Sequence, residues 1–164
     1  MDRAAPGDLA TIPLCTVDFH VEGGLLALGD SPWGSRRVGY ISGGSFAGPR
    51  LAGEVLPGGG NWSATGRLDD AGVGTFDARA VWRTHDGALI YVTYTGRSVV
   101  PDDVRAEFAD PAHADLVDPG RYYLRIAPVF ETAHPAYRWL NGILAIGIGE
   151  RTDRGARHRL FAVQ

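Results

Sequence analysis

The chain has 164 residues, of which 45% are hydrophobic and 21% are charged, so its composition is that of one ordinary globular domain and excludes a disordered or collagen-like protein. Sixteen basic residues against nineteen acidic ones give a net charge of −3, without the basic cluster that a nucleic-acid-binding protein needs. All sixteen are arginine. The absence of lysine excludes Schiff-base catalysis and a Walker-type phosphate site.

Cysteine content and hydropathy indicate in which cellular compartment the protein is expected. Cys15 is the only cysteine, which excludes an intramolecular disulfide and a cysteine-based metal cluster. The first ten residues are polar and lack the apolar core of a signal peptide. The longest run of apolar and glycine residues, 142–149, is shorter than the ~20 residues of a membrane helix. We therefore expect a cytoplasmic protein with neither a membrane nor a nucleic acid as its partner.

Alternation of apolar and polar residues with a period of two predicts β-strands along most of the chain. In the first such segment, 12–22, the apolar residues Cys15, Val17 and Phe19 alternate with polar ones. Segment 89–95 is rich in the β-branched and aromatic residues that strands prefer. Further strands are predicted at 37–46, 51–56, 62–68, 75–85, 122–130, 143–150 and 157–163.

Turn signals between these segments predict how the strands are connected. Asp- and Gly-rich stretches at 69–72, 85–87 and 153–155 favour hairpins. Nine or so strands with hairpin links indicate an antiparallel sheet, and closure into a barrel removes its exposed edges. We predict one all-β domain over 1–164, a closed or nearly closed calycin-like barrel of about eight to ten strands, with 1–10 as a flexible tail.

Two stretches depart from the strand pattern. Segment 101–120 has acidic residues just after Pro101, which suits the first turn of a short helix. In segment 134–142, Pro135 suits the first helical position and Gly142 the end of a single turn. One or two short helices in loops are therefore expected. The glycine-rich stretches 46–49 and 57–62 are interpreted as strand corners or bulges.

Signatures of the common enzyme classes are missing, including the Gly-x-Ser-x-Gly elbow, HExxH, the P-loop and the dinucleotide glycine fingerprint. Asp18, His20 and Glu22 share one face of the first predicted strand, and a histidine with two carboxylates can ligate a divalent ion. The alternative is a solvated polar face of a half-buried strand. We predict no metal site and no cofactor.

Three charged residues are the candidates for catalysis. Asp77 and Arg79 point to the same side of one predicted strand, where an ion pair can form and orient an anionic or enolic ligand. The alternative is a structural salt bridge on an exposed face. Glu131 follows a predicted strand, and a carboxylate at a barrel mouth can act as acid or base. Its alternative is an ordinary surface glutamate.

Aromatic and polar side chains suited to a pocket wall supply the candidate ligand contacts. Tyrosine and tryptophan combine an apolar face with one polar atom, although many of them simply fill a barrel core. Tyr137, Trp139 and Asn141 cluster in an irregular segment, where ligand-facing groups are common. The ligand-binding candidates are Trp62, Thr84, Tyr94, Tyr137, Trp139 and Asn141.

Several segments occur in the order found in one bacterial family. They are 43–49 (GGSFAGP), 56–62 (LPGGGNW), 76–79 (FDAR), 84–90 (THDGALI), 130–132 (FET) and 137–141 (YRWLN). Together they resemble the family catalogued as domain of unknown function thirty-two thirty-seven, from about residue 12 to the C-terminus. The resemblance implies an antiparallel β-barrel with a pocket at one end and no settled general activity.

The same resemblance implies which positions lie at that pocket. They are Trp62, Asp77, Arg79, Thr84, Glu131, Tyr137, Trp139 and Asn141. The family often has aspartate where this chain has Asn61. Because an asparagine cannot replace a catalytic aspartate base, Glu131 or Asp77 is the better candidate here.

These observations lead to a leading functional hypothesis and two alternatives. The first is a cofactor-free enzyme that performs a cyclisation, isomerisation or hydration/elimination on an aromatic or polyketide-like metabolite. In it, Arg79 positions an oxygen anion and Glu131 moves the proton. The second is a non-catalytic carrier or sensor barrel for a small hydrophobic acid. The third is a structural dimerisation module. The expected partner is a small organic molecule, with a homodimer as a further possibility.

Overall fold

The computed structural model describes residues 7–164, in which eleven strands form one antiparallel sheet. The strands are Thr11–His20 (β1), Leu26–Ser31 (β2), Gly34–Tyr40 (β3), Gly43–Ala47 (β4), Ala52–Val55 (β5), Gly60–Leu68 (β6), Ala71–Thr84 (β7), Leu89–Pro101 (β8), Tyr123–Glu131 (β9), Ala145–Thr152 (β10) and Gly155–Val163 (β11). The helices are Asp102–Ala109 (α1) and three 3₁₀ segments, Ala114–Leu116, Pro119–Arg121 and Pro135–Gly142.

The sheet closes on itself, with non-consecutive strands as neighbours in its first half and consecutive strands as neighbours in its second half. β2 pairs with β3, and β1 pairs with β4. The four strands therefore form one long, interrupted hairpin. β5 pairs with β4, β6 pairs with β3, and both β5 and β6 pair with the long strand β7. β7 through β11 are consecutive neighbours, and β11 pairs with β1. The predicted antiparallel, nearly closed barrel is confirmed.

One strand was missed and one predicted strand is divided. Segment 26–31 has no alternation because β2 is the edge strand and is exposed on both faces. The predicted strand 37–46 is interrupted between β3 and β4, where the Ile41 amide donates to Gly59 and the Ser42 amide to His20. The glycine-rich stretches 46–49 and 57–62 lie in the β4–β5 and β5–β6 connections, together with the end of β4 and the start of β6.

The two non-strand segments contain the predicted helices. α1 begins directly after Pro101 with Asp102 and Asp103 in its first turn, and Arg67 forms an ion pair with Asp102 at 2.6 Å. The second helix, 135–142, starts at Pro135 as expected but is a 3₁₀ helix. Within the described residues, no helix is long and apolar enough to cross a membrane. Of the predicted tail 1–10, residues 1–6 lie outside the described part of the chain.

Bulky side chains fill the barrel interior. The alternation along β7 shows which side chains point inward. Ala78, Ala80 and Trp82 are buried, while the outward positions between them are charged or exposed. Trp82 is fully buried and stacks on Phe46 at 4.5 Å between ring centroids. At Gly44 (φ +146°), a Cβ would come within 1.9 Å of the Asp18 carbonyl oxygen, so only glycine allows β1 and β4 to approach this closely.

The barrel has two distinct ends. The end that we call the 135–142 end carries the β4–β5 turn, the β7–β8 turn and the 135–142 helix. The opposite end, which we call the α1 end, carries the β6–β7 and β10–β11 turns and is covered by α1. Val104 of α1 packs there on a small cluster with Val100, Tyr122 and Leu124.

Candidate functional site

At the 135–142 end, a hydrogen-bonded cluster joins the β7–β8 turn to the 135–142 helix. Thr84 Oγ1 donates to Asp86 Oδ1 at 2.5 Å, and the Tyr137 hydroxyl donates to the same oxygen at 2.9 Å. The hydrogen bond from Thr84, followed by that from Tyr137, lowers the pKa of Asp86. Desolvation and then the Asp86 contact raise the pKa of Tyr137. Asp86 is therefore held as a carboxylate that accepts hydrogen bonds.

Asn141 and Trp139 hold the same helix against the barrel. The Asn141 side chain accepts from the Thr132 amide at 2.8 Å and donates to the Thr132 carbonyl at 2.9 Å. Trp139 packs partly buried on the core, with the Arg50 guanidinium 3.7 Å from its ring centroid. The structure thus brings four ligand-binding candidates, Thr84, Tyr137, Trp139 and Asn141, to one end of the barrel. Here the side-chain hydrogen bonds of Thr84 and Tyr137 to Asp86 join the β7–β8 turn to the 135–142 helix, and those of Asn141 join this helix to Thr132.

Two grooves flank this cluster on the outer surface. The smaller, of about 500 Å³, lies beside Thr84 and His85 and includes Arg83 and Glu54, which form an ion pair at 2.6 Å. The larger, of about 690 Å³, lies on the outer wall of β7, β8 and β9. It is lined by Val81, Leu89, Tyr91, Phe130, Glu131, Thr132, Ala133 and Asn141. We call it the outer-wall groove.

Among the described residues that line the outer-wall groove, Glu131 is the only one with a carboxylate. It lies directly opposite Tyr91, which in turn lies opposite Val81, so the three side chains form one cross-strand row. None of the ion pairs formed within residues 7–164 involves Glu131. Glu131 is exposed to solvent. The groove thus presents an unpaired carboxylate beside aliphatic and aromatic side chains and the polar Thr132 and Asn141.

Asp77 and Arg79 lie in the middle of β7 and so not at an end of the barrel. The alternation along the strand turns both side chains outward, onto the same outer wall. Their side chains form the predicted ion pair, at 3.3 Å, and both are exposed. Arg79 lies opposite Thr93 and Val129, one row from the row of Glu131. Strand geometry then separates the Cα atoms of Arg79 and Glu131 by about 12 Å. The three candidate catalytic residues share one surface.

Trp62 lies apart from these groups, on β6 opposite Val38, where its ring covers Gly60. The neighbouring Asn61 accepts a hydrogen bond from the Asp77 amide at 3.2 Å, where the β6–β7 ladder is irregular. An aspartate at position 61 offers the same acceptor oxygen. The Asn61 departure therefore preserves this local contact.

Tyr94 points into the barrel, where its ring lies 6.2 Å from that of His158 and 5.5 Å from that of Phe19. Burial raises the pKa of Tyr94, which keeps its hydroxyl protonated. His158 is 3% exposed, and its Nδ1 has no hydrogen-bond partner within residues 7–164. Burial lowers the pKa of His158 to about 4, so its imidazole is neutral at pH 7.

We expect His158 to make the protein less stable as the pH falls from about 6.5 towards 4. The unfolded chain binds a proton at His158 near pH 6.5, whereas the native state binds it only near pH 4. The unfolded state therefore takes up more protons in this window, and the free energy of unfolding decreases by about 3 kcal/mol across it. Urea unfolding at pH 7 and at pH 4 measures the decrease.

The matched variants are His158→Leu, which removes the buried titrating group, and His85→Gln, which removes an exposed histidine. We expect the first to show a clearly smaller loss of stability over the window than the parent, and the second to behave as the parent does. Carboxylate titration is common to all three proteins and cancels in the comparison. Equal losses in the parent and in His158→Leu would contradict this assignment.

The carboxylates of the possible metal site on β1 are engaged by arginines. Asp18 pairs with Arg157 at 2.8 Å and Glu22 with Arg154 at 2.5 Å. β1 ends at His20, so Glu22 lies beyond the strand. In the described part of the chain, no group of three or more His, Cys, Asp or Glu side chains is placed to hold a metal ion.

Sequence reasoning missed the apolar walls of the outer-wall groove and the buried polar side chains of the interior. Val81, Leu89 and Tyr91 face outward, and their proximity to Glu131 depends on the β8–β9 register, which no local pattern reveals. His158 could have been found from the sequence. It lies two residues before the apolar Leu160 in β11, and residues two apart in a strand share one face, here the inward one.

Comparison with known proteins places the chain among uncharacterised relatives. It is 35% identical over 149 residues to a UPF0311 protein of Clostridium acetobutylicum, covering 90% of both chains. A β-barrel-like protein of Acinetobacter baumannii AYE has a similar structure, with a TM-score of 0.81, 30% identity and coverage of 99% of this chain and all of that one.

A more distant structural neighbour is an enzyme from Penicillium herquei, with a TM-score of 0.66, 21% identity and 99% coverage of both chains, a likeness that shows the fold alone. The family described as "Protein of unknown function (DUF3237)" matches residues 9–163, which is nearly the whole chain. With this match and these relatives, the chain belongs to that family of β-barrel proteins.

Proposed function

We propose that the protein is a cofactor-free enzyme that performs acid–base chemistry on an aromatic or polyketide-like metabolite bound in the outer-wall groove. One observation carries this proposal, namely the unpaired Glu131 carboxylate in a groove of about 690 Å³ with apolar and aromatic walls. This volume suits one small organic ligand. Val81 and Leu89 offer apolar contacts and Tyr91 a flat ring to an aromatic ligand, and Glu131 offers the proton acceptor.

The reaction needs only one proton to be moved. Glu131 takes a proton from an acidic carbon of the substrate, which leaves an enolate and a neutral carboxyl group. The same carboxyl group returns the proton to another atom, so an isomerisation or ring closure balances without a cofactor. Arg79, about 12 Å from Glu131 by strand geometry, suits a carboxylate or phenolate at the far end of the substrate, and Asp77 fixes its guanidinium.

Further support comes from the structural neighbour from Penicillium herquei, which is called an enzyme. Because one barrel can host many functions, its fold likeness supports catalysis only in general terms. The choice of reaction rests on Glu131 and the groove around it. A carrier or sensor of a small hydrophobic acid uses the same groove without turnover and is the second candidate, favoured by the wide opening of the groove to solvent.

The test is proton exchange of a simple carbon acid. We expect the protein to accelerate the exchange of the acidic α-protons of 2-tetralone in D₂O, followed by NMR, above the buffer rate. We also expect 1-hydroxy-2-naphthoate to inhibit the exchange by occupying the groove. Saturable naphthoate binding without accelerated exchange would favour the carrier, and absence of both would overturn the proposal.

Replacing Arg79 by methionine is expected to weaken naphthoate binding about tenfold, because a charge-assisted hydrogen bond to the carboxylate is lost at an exposed position. Fluorescence titration at constant ionic strength measures the affinity. Arg105→Met is the matched control, because it removes one arginine from an exposed ion pair on α1, far from the groove. Equal affinities in the two variants would remove Arg79 from the site.

A further inference from the structure

Strand β10 carries its bulky side chains on the outside of the barrel. Gly147 and Gly149 occupy inward positions, where a Cβ would clash with side chains of buried residues. The opposite face of the strand holds Ile146 and Ile148, and Leu144 lies two residues before Ile146. Leu144 is 66% exposed and Ile146 is 37% exposed. Because contiguous exposed apolar side chains mark interaction surfaces, we expect another molecule to cover this face.

The outward face of β9, beside β10, has opposite charges at its two ends. Its positions are Arg125, Ala127, Val129 and Glu131 in chain order. Arg125 lies opposite Ile148, so β9 and β10 form one apolar surface with a cation at one end and a carboxylate at the other. Six residues of strand separate the two charges by about 20 Å. Neither Arg125 nor Glu131 takes part in an ion pair formed within residues 7–164.

A second cation lies beside Arg125. Arg97 of β8 is directly opposite it and likewise pairs with no carboxylate of the described chain. The hydrogen bonds that the two guanidinium groups form within residues 7–164 go to the backbone carbonyls of Gly96 and Leu124. Like charges directly opposite each other on neighbouring strands destabilise a sheet, so this pair favours a partner that brings carboxylates.

A second copy of the chain supplies such carboxylates when the outer walls of two copies face each other. If a two-fold axis lies between the walls and crosses the middle of β9 at right angles, β9 of one copy runs antiparallel over β9 of the other. The order of charges then places Glu131 of each copy over Arg125 of the other. Tyr91 and Arg97 occupy the same two rows on β8, so each Tyr91 ring lies over the other copy's Arg97, as in a cation–π contact. Facing sheets pack about 10 Å apart, a distance that an arginine and a glutamate side chain span together.

We propose that the protein forms a two-fold dimer through the outer faces of β8, β9 and β10, with ion pairs between Glu131 and Arg125 of opposite copies. Charge complementarity selects a second copy as the partner, because one face holds both the unpaired carboxylate and the unpaired arginines. The second copy also covers the side of the outer-wall groove that is open to solvent. The proposal uses the charge of Glu131 and not its basicity, so it goes beyond the proposed function and stands without it.

Paired charge reversals test this contact. We expect the parent to sediment as a dimer at micromolar concentrations. Glu131→Arg and Arg125→Glu each set like charges against each other twice per dimer, so each should weaken self-association by about tenfold or more. An equimolar mixture of the two variants should associate about as tightly as the parent, because both contacts of a mixed dimer join opposite charges. Sedimentation velocity of the separate and mixed proteins measures the association, and recovery in the mixture shows that each variant is folded.

Asp30→Arg and Arg37→Glu, on the β2–β3 hairpin, are the matched controls. Both residues are exposed, and neither forms an ion pair within the part of the chain that the structure describes. The two variants carry the same charge reversals away from the proposed interface and should associate as the parent does.

A parent that stays monomeric at high micromolar concentration would overturn the proposal and leave the face to a different macromolecule. A mixture of Glu131→Arg and Arg125→Glu that associates no better than either variant alone would also overturn it. Exchange of 2-tetralone protons by a monomeric parent would remove the dimer and retain the proposed function, whereas a dimer without exchange would do the reverse.

Discussion

Replacing Glu131 by glutamine is expected to slow the protein-catalysed exchange of 2-tetralone protons by about 10²–10⁴-fold, the contribution of a positioned acid or base. The amide has nearly the size and shape of the carboxylate but cannot accept the proton. Binding should change little, because the aliphatic and aromatic walls of the outer-wall groove remain in place. Rates come from NMR exchange in D₂O, and affinities from titration with 1-hydroxy-2-naphthoate.

Glu107→Gln is the matched control for this experiment. Glu107 lies on α1 at the opposite end of the barrel, exposed and 4.0 Å from Arg121, so its loss changes the net charge equally without touching the groove. We expect this variant to retain the parent exchange rate. Equal exchange rates in Glu131→Gln and the parent would show that another group moves the proton.

Replacing Trp82 by alanine is expected to lower the free energy of unfolding by about 3–5 kcal/mol, the usual loss for a large aromatic side chain removed from a core. Trp82 is 0% exposed and lies between Phe46, at 4.5 Å, and Phe130, at 5.9 Å between ring centroids. The barrel wall is fixed by its hydrogen-bonded ladders and cannot collapse into the space. Urea unfolding followed by circular dichroism measures the change.

Two other substitutions serve as comparisons for Trp82→Ala. Trp33→Ala removes a tryptophan that is 86% exposed at the tip of the β2–β3 hairpin, and its effect should stay within about 0.5 kcal/mol. Trp82→Phe keeps an aromatic ring and removes an indole N–H that has no partner among the described residues, so it should lose less stability than Trp82→Ala. Comparable losses for Trp33→Ala and Trp82→Ala would contradict the central role of Trp82.

The site was less predictable than the fold because its residues depend on register. The alternation along β7 correctly separates Trp82 from Arg79, yet it does not say which strand lies beside them. The row of Val81, Tyr91 and Glu131 joins residues up to fifty positions apart, and a slip of one residue would turn every side chain to the other face. The groove follows from that row.

The sequence by itself determined the class of fold, because a period of two and hairpin turns are local properties that each segment carries alone. It also determined the short helix after Pro101 and the ion pair between Asp77 and Arg79, since both depend on neighbours along the chain. Only the tertiary structure decided that Asp77, Arg79 and Glu131 share the outer wall and that Tyr94 is enclosed beside His158. Closure of the barrel fixes these contacts, because it sets strand register and burial across the whole chain at once.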